Sequence, residues 1–408
     1  MSGTAQSSFS IPDDDALIAS ALEEASIPTL MMSMIHMSGD ASLLDGAIRP
    51  AGVFINEYQG YMSEEDKATV RARALEMIKN FRDGGCQLPS SPSPATIHRM
   101  MNFIVAGDVP EDYVPMMLEE MELDGIDQRS DACSDEVPAK ARAQHKVLVI
   151  GGGMSGVLAA YRLQEAGIPF VVIEKNSAVG GTWFENRYPG ARVDVGNHLY
   201  SYSFEPAHHW TQYFSQQKEL QQYFEGVVYH HQLEQHFRFN TEVTGAVFDE
   251  VSKEWTVNTI DKDGVEEQYV ANSVISAVGQ LNRPVLPDIP GVDSFVGQWC
   301  HSAAWDDSID CRRKKVVVVG SGASAFQLVP TIAGDVGQLT VFQRSAPWMF
   351  ENPIYHEEVP QGKKWCLQNL PFYTRWFRFL IFWPACDGAY DTVFVDPEWP
   401  HQERSINE

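Results

Sequence analysis

Two glycine-rich turns in this sequence have the residue types and spacing that bind the phosphates of a dinucleotide. The first turn places glycine at Gly151, Gly153 and Gly156, directly after an apolar run. Glycine lets the backbone turn tightly and approach a pyrophosphate, whose charge the N-terminus of the following helix stabilises. Glu174 stands 23 positions after Gly151, where a carboxylate can accept hydrogen bonds from a ribose diol. This turn is predicted to bind FAD or NAD; the alternative is a purely structural turn.

The second turn repeats the pattern with changes that alter its specificity. Gly320 and Gly322 again follow an apolar run, and Ala325 replaces the third glycine. Gln343 stands where the acid would be, 23 positions after Gly320, and Arg344 follows it. An acid would repel a 2′-phosphate, whereas a guanidinium binds one through two parallel hydrogen bonds. This turn is therefore predicted to bind NADP(H); the alternative is that Arg344 is a solvated surface arginine.

Two further stretches contain aromatic side chains beside glycines. Residues 180–194 include Trp183 and Tyr188, whose planes suit a flat ring such as isoalloxazine. Residues 295–306 lie between the two glycine turns and include His301. The alternatives are an ordinary aromatic loop for the first stretch and a satisfied core histidine for His301.

The elements that must position these residues follow from the hydrophobic pattern. Residues 145–150 and 169–173 are apolar runs typical of parallel strands buried on both faces, and residues 155–166 between them are predicted to be helical. Residues 315–343 repeat this strand–turn–helix–strand order. The sequence therefore predicts an α/β fold with two Rossmann-type, three-layer dinucleotide-binding domains. The predicted divisions are an all-α N-terminal extension (1–140), a FAD-binding domain (141–290), and a linker motif with an NADP-binding domain (291–408).

The N-terminal extension shows helix signals of its own. Acidic residues 13–15 are predicted to cap a first helix, and Ser63 is predicted to cap a third. Residues 95–125 are predicted to be helical again. The methionines of the second helix are expected to fill a core or an interface, and the N-terminal helices offer a possible homodimer contact. These methionines are Met31, Met32 and Met34.

Composition limits the partners and the location. The chain has 408 residues and a net charge of −25, which argues against nucleic acid and anionic membranes as partners. Six cysteines without a C-x-x-C pair favour a reduced, cytoplasmic setting, and no signal peptide is recognisable. No run approaches the roughly 20 apolar residues of a membrane span, although the aromatic run 377–384 leaves open a contact with a membrane or a partner. The histidine pairs 208–209 and 230–231 are interpreted as structural, and no metal site is predicted.

Two motifs together resemble the fingerprints of flavin-dependent Baeyer–Villiger monooxygenases. They are Gly181-x-Trp183-x4-Tyr188-Pro-Gly-x3-Asp194 and Phe295-x-Gly297-x3-His301-x3-Trp305-Asp306, flanked by the two glycine turns in the family's order. The resemblance covers residues 145–408. Residues 1–140 resemble the N-terminal extension of the 4-hydroxyacetophenone monooxygenase subgroup.

The resemblance implies an enzyme that uses NADPH and FAD to insert one O2-derived oxygen next to a ketone carbonyl, giving an ester or lactone. Asp194 would orient a catalytic arginine, and His301 would be a hinge or positioning residue. The residues implied for FAD, beside the first-turn glycines and Glu174, are Thr182, Trp183, Asp194 and Tyr200. Those implied for NADPH are Arg192, Gly320, Ser321, Gly322, Ala323, Ser324, Gln327, Arg344 and Ser345.

The chain departs from the family in one respect. The family's catalytic arginine follows later than Arg344, and none of the downstream arginines Arg375, Arg378 and Arg404 matches its motif. A C-terminally incomplete member is therefore expected. An N- or S-oxygenating flavin monooxygenase, a simple NADPH–flavin oxidoreductase and a catalytically dead nucleotide-binding fragment remain alternatives. An aromatic ketone and a large secondary-metabolite ketone are both compatible substrates.

Overall fold

A computed structural model describes residues 10–12, 14–123, 127–129, 137–281, 283–347, 349 and 351–389. Its helices are α1 (Asp15–Glu23), α2 (Ile27–Ser38), α3 (Glu64–Asp83), α4 (Pro94–Val105), α5 (Val114–Met121), α6 (Ala139–Arg142), α7 (Met154–Glu165), α8 (Thr182–Glu185), α9 (Gln217–His230), α10 (Ala323–Ile332), α11 (Gln361–Asn369) and α12 (Tyr373–Phe382). Its strands are β1 (Val147–Ile150), β2 (Phe170–Ile173), β3 (Phe237–Arg238), β4 (Thr241–Asp249), β5 (Glu254–Asp261), β6 (Glu266–Ala271), β7 (Ser273–Ser276), β8 (Lys315–Val319) and β9 (Gln338–Phe342).

The chain forms two compact units that interleave along the sequence. The first unit combines Met1–Asp127, Val195–Tyr213 and Asn352–Glu408. The second combines Gln128–Asp194 and Phe214–Glu351. Both glycine turns and the residue 295–306 stretch therefore belong to the second unit.

The first unit is built around α2. Every residue from Ile27 to Met37 is buried, including the polar residues Thr29, Ser33 and His36. Pro28 occupies the first helical turn, where its missing N–H has no partner to lose, and Gly39 ends the helix in the left-handed conformation. Helices α3 and α12 pack against α2. The methionines are therefore core residues, which confirms one of the two predicted roles.

Helix ends in the first unit follow the capping signals, with one exception. Asp14 accepts hydrogen bonds from the backbone N–H groups of residues 16 and 17, and Ser63 accepts one from Asp66 N at 3.1 Å, as predicted. Within residues 95–125, which are predicted to be helical, the structure has two helices, α4 and α5, separated by residues 106–113. Helix α4 ends because Ala106 adopts a positive φ of 51°, and Pro110 lies just before the short turn that leads into α5.

The aromatic run 377–384 packs inside the first unit. Phe377, Phe379 and Leu380 are buried in the same core as α2. Helix α12 is also joined to the N-terminal helices by polar contacts, since Trp376 Nε1 donates to His36 Nε2 at 3.0 Å. Among the described residues, no helix is long and apolar enough to cross a membrane.

Two arginines of α12 join three separate chain segments of the first unit. Arg378 Nη1 donates to His198 O at 2.7 Å, and Arg375 Nη1 donates to Ser203 O at 2.8 Å. Arg378 Nε also pairs with Glu120 at 2.8 Å, and Arg375 Nη2 pairs with Glu122 at 3.0 Å. These arginines are therefore committed to the core of the first unit. Arg404 lies outside the described residues.

The first unit should lose stability in acid because it buries two neutral histidines. Burial lowers the pKa of His36 and of His198 to about 3. The unfolded chain protonates near its ordinary pKa of roughly 6.5 while the folded chain does not, so stability falls as pH drops below that value. Each histidine should lower the free energy of unfolding by about 2 kcal/mol at pH 5.

Urea unfolding at pH 7 and pH 5 checks this prediction. Neither ring nitrogen of His198 has a hydrogen-bond partner among the described residues, so His198→Leu removes the titration without breaking a bond. The stability lost between the two pH values should be about 2 kcal/mol smaller in this variant than in the wild type. An equal loss in both proteins would contradict the prediction.

The second unit contains the predicted α/β architecture. Its main sheet has the order β3-β2-β1-β7 with all pairs parallel, so β7 pairs with β1. Strands β4, β5 and β6 form an antiparallel meander, and β8 pairs with β9 in parallel. Helix α10 begins at Ala323, directly after its N-cap residue Gly322. The predicted fold class is confirmed.

Candidate dinucleotide-binding sites

The first glycine turn is shaped by close backbone contacts. Gly151 has φ 103° and donates its N–H to Ile173 O at 2.8 Å, which ties the turn to β2. A Cβ on Gly156 would overlap the Gly151 carbonyl oxygen and lie 2.9 Å from its carbon. Glycine is required at both positions, since only glycine allows this φ freely and this approach of helix to turn.

Glu174 lies against this turn and is only 3% exposed. Its Oε2 accepts from Gly152 N at 2.5 Å, and its Oε1 accepts from Asn176 N at 2.7 Å. Each carboxylate oxygen has a second lone pair, so a ribose diol could still bond here. The sequence suggested only the ribose role; the structure adds that Glu174 fixes the turn.

Residues 180–183, which begin the first fingerprint motif, contact the first glycine turn. Gly180 N donates to Gly152 O at 3.0 Å, and a Cβ on Gly181 would lie 2.9 Å from Gly153 Cα. Thr182 then opens α8, and Trp183 is buried beside it at 8% exposure. The structure therefore brings the predicted residues Thr182 and Trp183 to the first turn.

The loop of residues 188–194 packs against α10 of the second module. A Cβ on Gly190 would overlap the Thr331 hydroxyl and lie 2.6 Å from Gln327 O, which explains a glycine with φ 83° here. Tyr188 is buried in one cluster with Leu328 of α10. The two nucleotide modules therefore share a packed contact within the second unit.

One amide side chain makes the polar part of this contact. Gln327 Oε1 accepts from Tyr188 OH at 2.7 Å and from Arg192 N at 3.3 Å, and its Nε2 donates to Arg192 O at 2.9 Å. Burial and then the charge of Asp194 raise the pKa of Tyr188, while a hydrogen bond with Ser324 opposes them. The phenol stays a donor at neutral pH. Asp194 itself is exposed.

The second glycine turn is open. Gly320 has φ 112°, and a Cβ on either Gly320 or Gly322 would meet nothing within 4 Å. The first hydrogen bond of the helix runs from Phe326 N to Gly322 O at 3.1 Å. The preceding N–H groups have no partner within the helix, which suits a phosphate. Arg344 is exposed next to this turn, where Ser321 Oγ donates to Ser345 O at 3.5 Å.

The stretch 295–306 divides into an exposed and a packed part. Phe295 and Trp299 are largely exposed, whereas Trp305 packs beside the Tyr188–Leu328 cluster. His301 Nδ1 accepts from Ala303 N at 3.1 Å and caps a short turn. Its predicted role as a hinge stays a prediction.

Two placements could not be read from the sequence. Tyr200, implied for FAD by the resemblance, lies in the 195–213 segment that belongs to the first unit. Gln327, implied for NADPH, has its amide occupied by Arg192 and Tyr188. Nothing in the local pattern signals a contact between positions 192 and 327. Within the described ranges, no group of three or more His, Cys, Asp or Glu is placed to hold a metal ion.

The fold and these turns define a class of protein: an α/β protein with two dinucleotide modules joined by one packed loop. Residues 148–364 match the model of the pyridine nucleotide-disulphide oxidoreductase family. This match covers more than half of the chain. The chain therefore belongs to that family.

Individual relatives agree with this assignment. An uncharacterized monooxygenase of Sinorhizobium fredii is 34% identical over 96% of this chain and 58% of its own length. A Baeyer–Villiger monooxygenase of Streptomyces coelicolor is 40% identical over 58% of this chain and 44% of its own length. The structure of cyclohexanone monooxygenase from Rhodococcus bound to NADP+ has a TM-score of 0.51 and 34% identity, covering 61% of this chain and 44% of that one. The chain thus spans about half the length of these relatives.

Proposed function

We propose that this chain binds FAD at the first turn and NADPH at the second and serves a Baeyer–Villiger oxygenation. In that reaction one O2-derived oxygen is inserted next to a ketone carbonyl to give an ester or lactone. The observation that carries the proposal is the packing of the 188–194 loop on α10, since it joins the flavin motif to the second nucleotide turn. Relatives named FAD-binding monooxygenases and the NADP+-bound Rhodococcus structure support the choice of cofactors.

Each predicted residue has a physical task in this proposal. The N-termini of α7 and α10 would each stabilise one pyrophosphate. Glu174 would accept from the FAD ribose, Trp183 would cover the flavin ring, and Arg344 would bind the 2′-phosphate of NADPH. FAD, when bound, supplies the oxygen chemistry that side chains lack. Asp194 would act as a positioning residue for the arginine that the family uses.

Purified protein tests the proposal directly. We expect a yellow chain with flavin absorbance that oxidises NADPH in the presence of a ketone and releases the matching ester or lactone. Absence of bound flavin after reconstitution with FAD would refute the proposal. Oxidation of a sulfide or an amine without ester formation would favour the N- or S-oxygenating alternative.

Arg344→Ala should weaken the binding of NADPH but not that of NADH. Loss of a charge-assisted hydrogen bond costs about 1.5–3 kcal/mol, which is roughly a 10- to 150-fold rise in the NADPH dissociation constant. Stopped-flow or equilibrium titration of both coenzymes measures this. Arg312→Ala is the matched control, because Arg312 is exposed on the same module and pairs with Asp310 at 2.9 Å. Equal losses for NADPH and NADH would contradict the assignment.

A second candidate, a nucleotide-binding fragment without oxygenation activity, is favoured by the surface of the β8–β9 sheet. Its apolar side chains are open to solvent: Val319 is 64% exposed and Phe342 is 60% exposed. Parallel sheets are normally covered on both faces. We propose that neither Arg375 nor Arg378 replaces the family's catalytic arginine, because both are engaged in the first unit. NADPH oxidation that yields hydrogen peroxide and no ester would mark this fragment.

The remaining assignments are part of the proposal. They are membership of the 4-hydroxyacetophenone monooxygenase-like subgroup, the three-part division of the sequence, a cytoplasmic location, and a homodimer formed through N-terminal helices. Because α2 is buried, such a dimer contact would use the outer faces of other helices.

A further inference from the structure

We propose that Gln327 is a positioning residue that couples the two nucleotide sites, so that a ligand at the second turn tightens the binding of FAD at the first. This inference rests on the proposed function, because it concerns the cofactors assigned there. It gives Gln327 a different role from the direct contact with NADPH that its place in the motif suggests.

The Gln327 amide holds the 188–194 loop by hydrogen bonds. Its oxygen accepts from Arg192 N at 3.3 Å and its nitrogen donates to Arg192 O at 2.9 Å, so one side chain pairs with both polar groups of one backbone residue. The same oxygen accepts from Tyr188 OH at 2.7 Å. Both lone pairs of the amide oxygen are thereby used, and one N–H of the amide is committed to Arg192 O. The amide therefore fixes the loop.

Gln327 lies on α10, the helix that follows the second glycine turn. The helix begins after Gly322, the glycine that leads the second turn into the helix N-terminus. A phosphate bound there restrains the first turns of α10, on which Gln327 lies. The restrained amide then holds the 188–194 loop in its packed form, which carries Asp194 of the flavin motif. Binding at either site should favour the same loop arrangement.

Thermodynamic linkage makes this coupling measurable from either side. If NADP+ raises the affinity for FAD by some factor, FAD must raise the affinity for NADP+ by the same factor. A factor of about ten is expected for one restrained loop. If Gln327 only stabilised the fold, its replacement would lower the affinities for both FAD and NADP+ without changing the factor by which each raises the affinity for the other.

The experiment measures the FAD dissociation constant of the holoenzyme with and without saturating NADP+, through the recovery of free-flavin fluorescence. The wild type should hold FAD about tenfold more tightly with NADP+, and Gln327→Ala should reduce that factor to about one. Tyr188→Phe, which removes one of the three bonds, should give an intermediate factor. Gln338→Ala, an exposed glutamine on β9 of the same module, should keep the wild-type factor.

Hydrogen exchange separates failure of the inference from failure of the proposed function. NADP+ should slow exchange at the amides of 188–194 in the wild type but not in Gln327→Ala, and this readout needs no FAD. A chain that binds no FAD but shows this protection would refute the proposed function and support only the role of Gln327 in fixing the loop. The inference would be overturned if NADP+ did not change the FAD affinity of the wild type, or if Gln327→Ala kept the full change. It would also be overturned if NADP+ did not slow exchange at the amides of 188–194 in the wild type.

Discussion

Gly156→Ala is expected to abolish FAD binding and to lower the free energy of unfolding of the second unit by about 3 kcal/mol. The added Cβ would overlap the carbonyl oxygen of Gly151. Helix α7 and the glycine turn must then separate, although the turn is held to β2 by the bond from Gly151 N to Ile173 O. Moving the helix N-terminus away also removes the dipole and N–H groups that stabilise the pyrophosphate.

Flavin absorbance after reconstitution and urea unfolding check this result. The matched control is Gly226→Ala in α9, where an added Cβ meets nothing within 4 Å. That change should stabilise the unit by about 0.5–1 kcal/mol, because alanine loses less entropy than glycine in a helix. A Gly156→Ala protein that binds FAD with wild-type affinity would show that the turn does not hold the pyrophosphate as described.

Glu120→Ala should destabilise the first unit by about 3–5 kcal/mol. Glu120 accepts from Arg378 Nε at 2.8 Å and lies 3.4 Å from Arg375 Nη1. The Arg378 side chain is only 9% exposed, so removing the carboxylate leaves a buried cation without its counter-charge. The loss should fall on the first unit alone, and flavin absorbance should fall later in a urea titration than the signal of the first unit.

Glu76→Ala is the control for this second prediction. Glu76 pairs with Lys79 at 3.3 Å on the surface of α3, with its own side chain 69% exposed. Exposed ion pairs contribute little to stability, so Glu76→Ala should change the free energy of unfolding by no more than about 0.5 kcal/mol. If Glu120→Ala costs no more than Glu76→Ala, the arginine–glutamate contacts do not stabilise the unit.

The sequence predicts most of what depends on neighbouring residues. The strand–turn–helix–strand order of residues 145–173 and 315–343 was predicted, because apolar runs followed by glycine are local signals. The cap at Ser63 was predicted for the same reason. The break between α4 and α5 was missed because it depends on a non-glycine residue, Ala106, in a left-handed conformation that no residue type announces.

Contacts between residues that are far apart in the chain could not be predicted from the sequence. The motif pattern assigned Arg192 and Gln327 separately to NADPH, whereas the structure bonds them to each other. Similarly, Arg378 was noted only as a mismatch to the family's catalytic arginine, and its partner Glu120 had no distinguishing signal. Spacing along the chain predicts elements and turns, but it does not predict which side chains meet across 135 or more positions.

The interleaving of the two units has a consequence for synthesis on the ribosome. The Met-rich helix α2 emerges early, but α12, which packs against it, emerges more than three hundred residues later. At usual rates of translation that interval lasts roughly 15–70 s. During this time α2 can pack against α3 but lacks α12, while the first Rossmann module can already close. The nascent N-terminal helices are therefore the part of the chain most dependent on chaperones, and the unit that begins first is completed last.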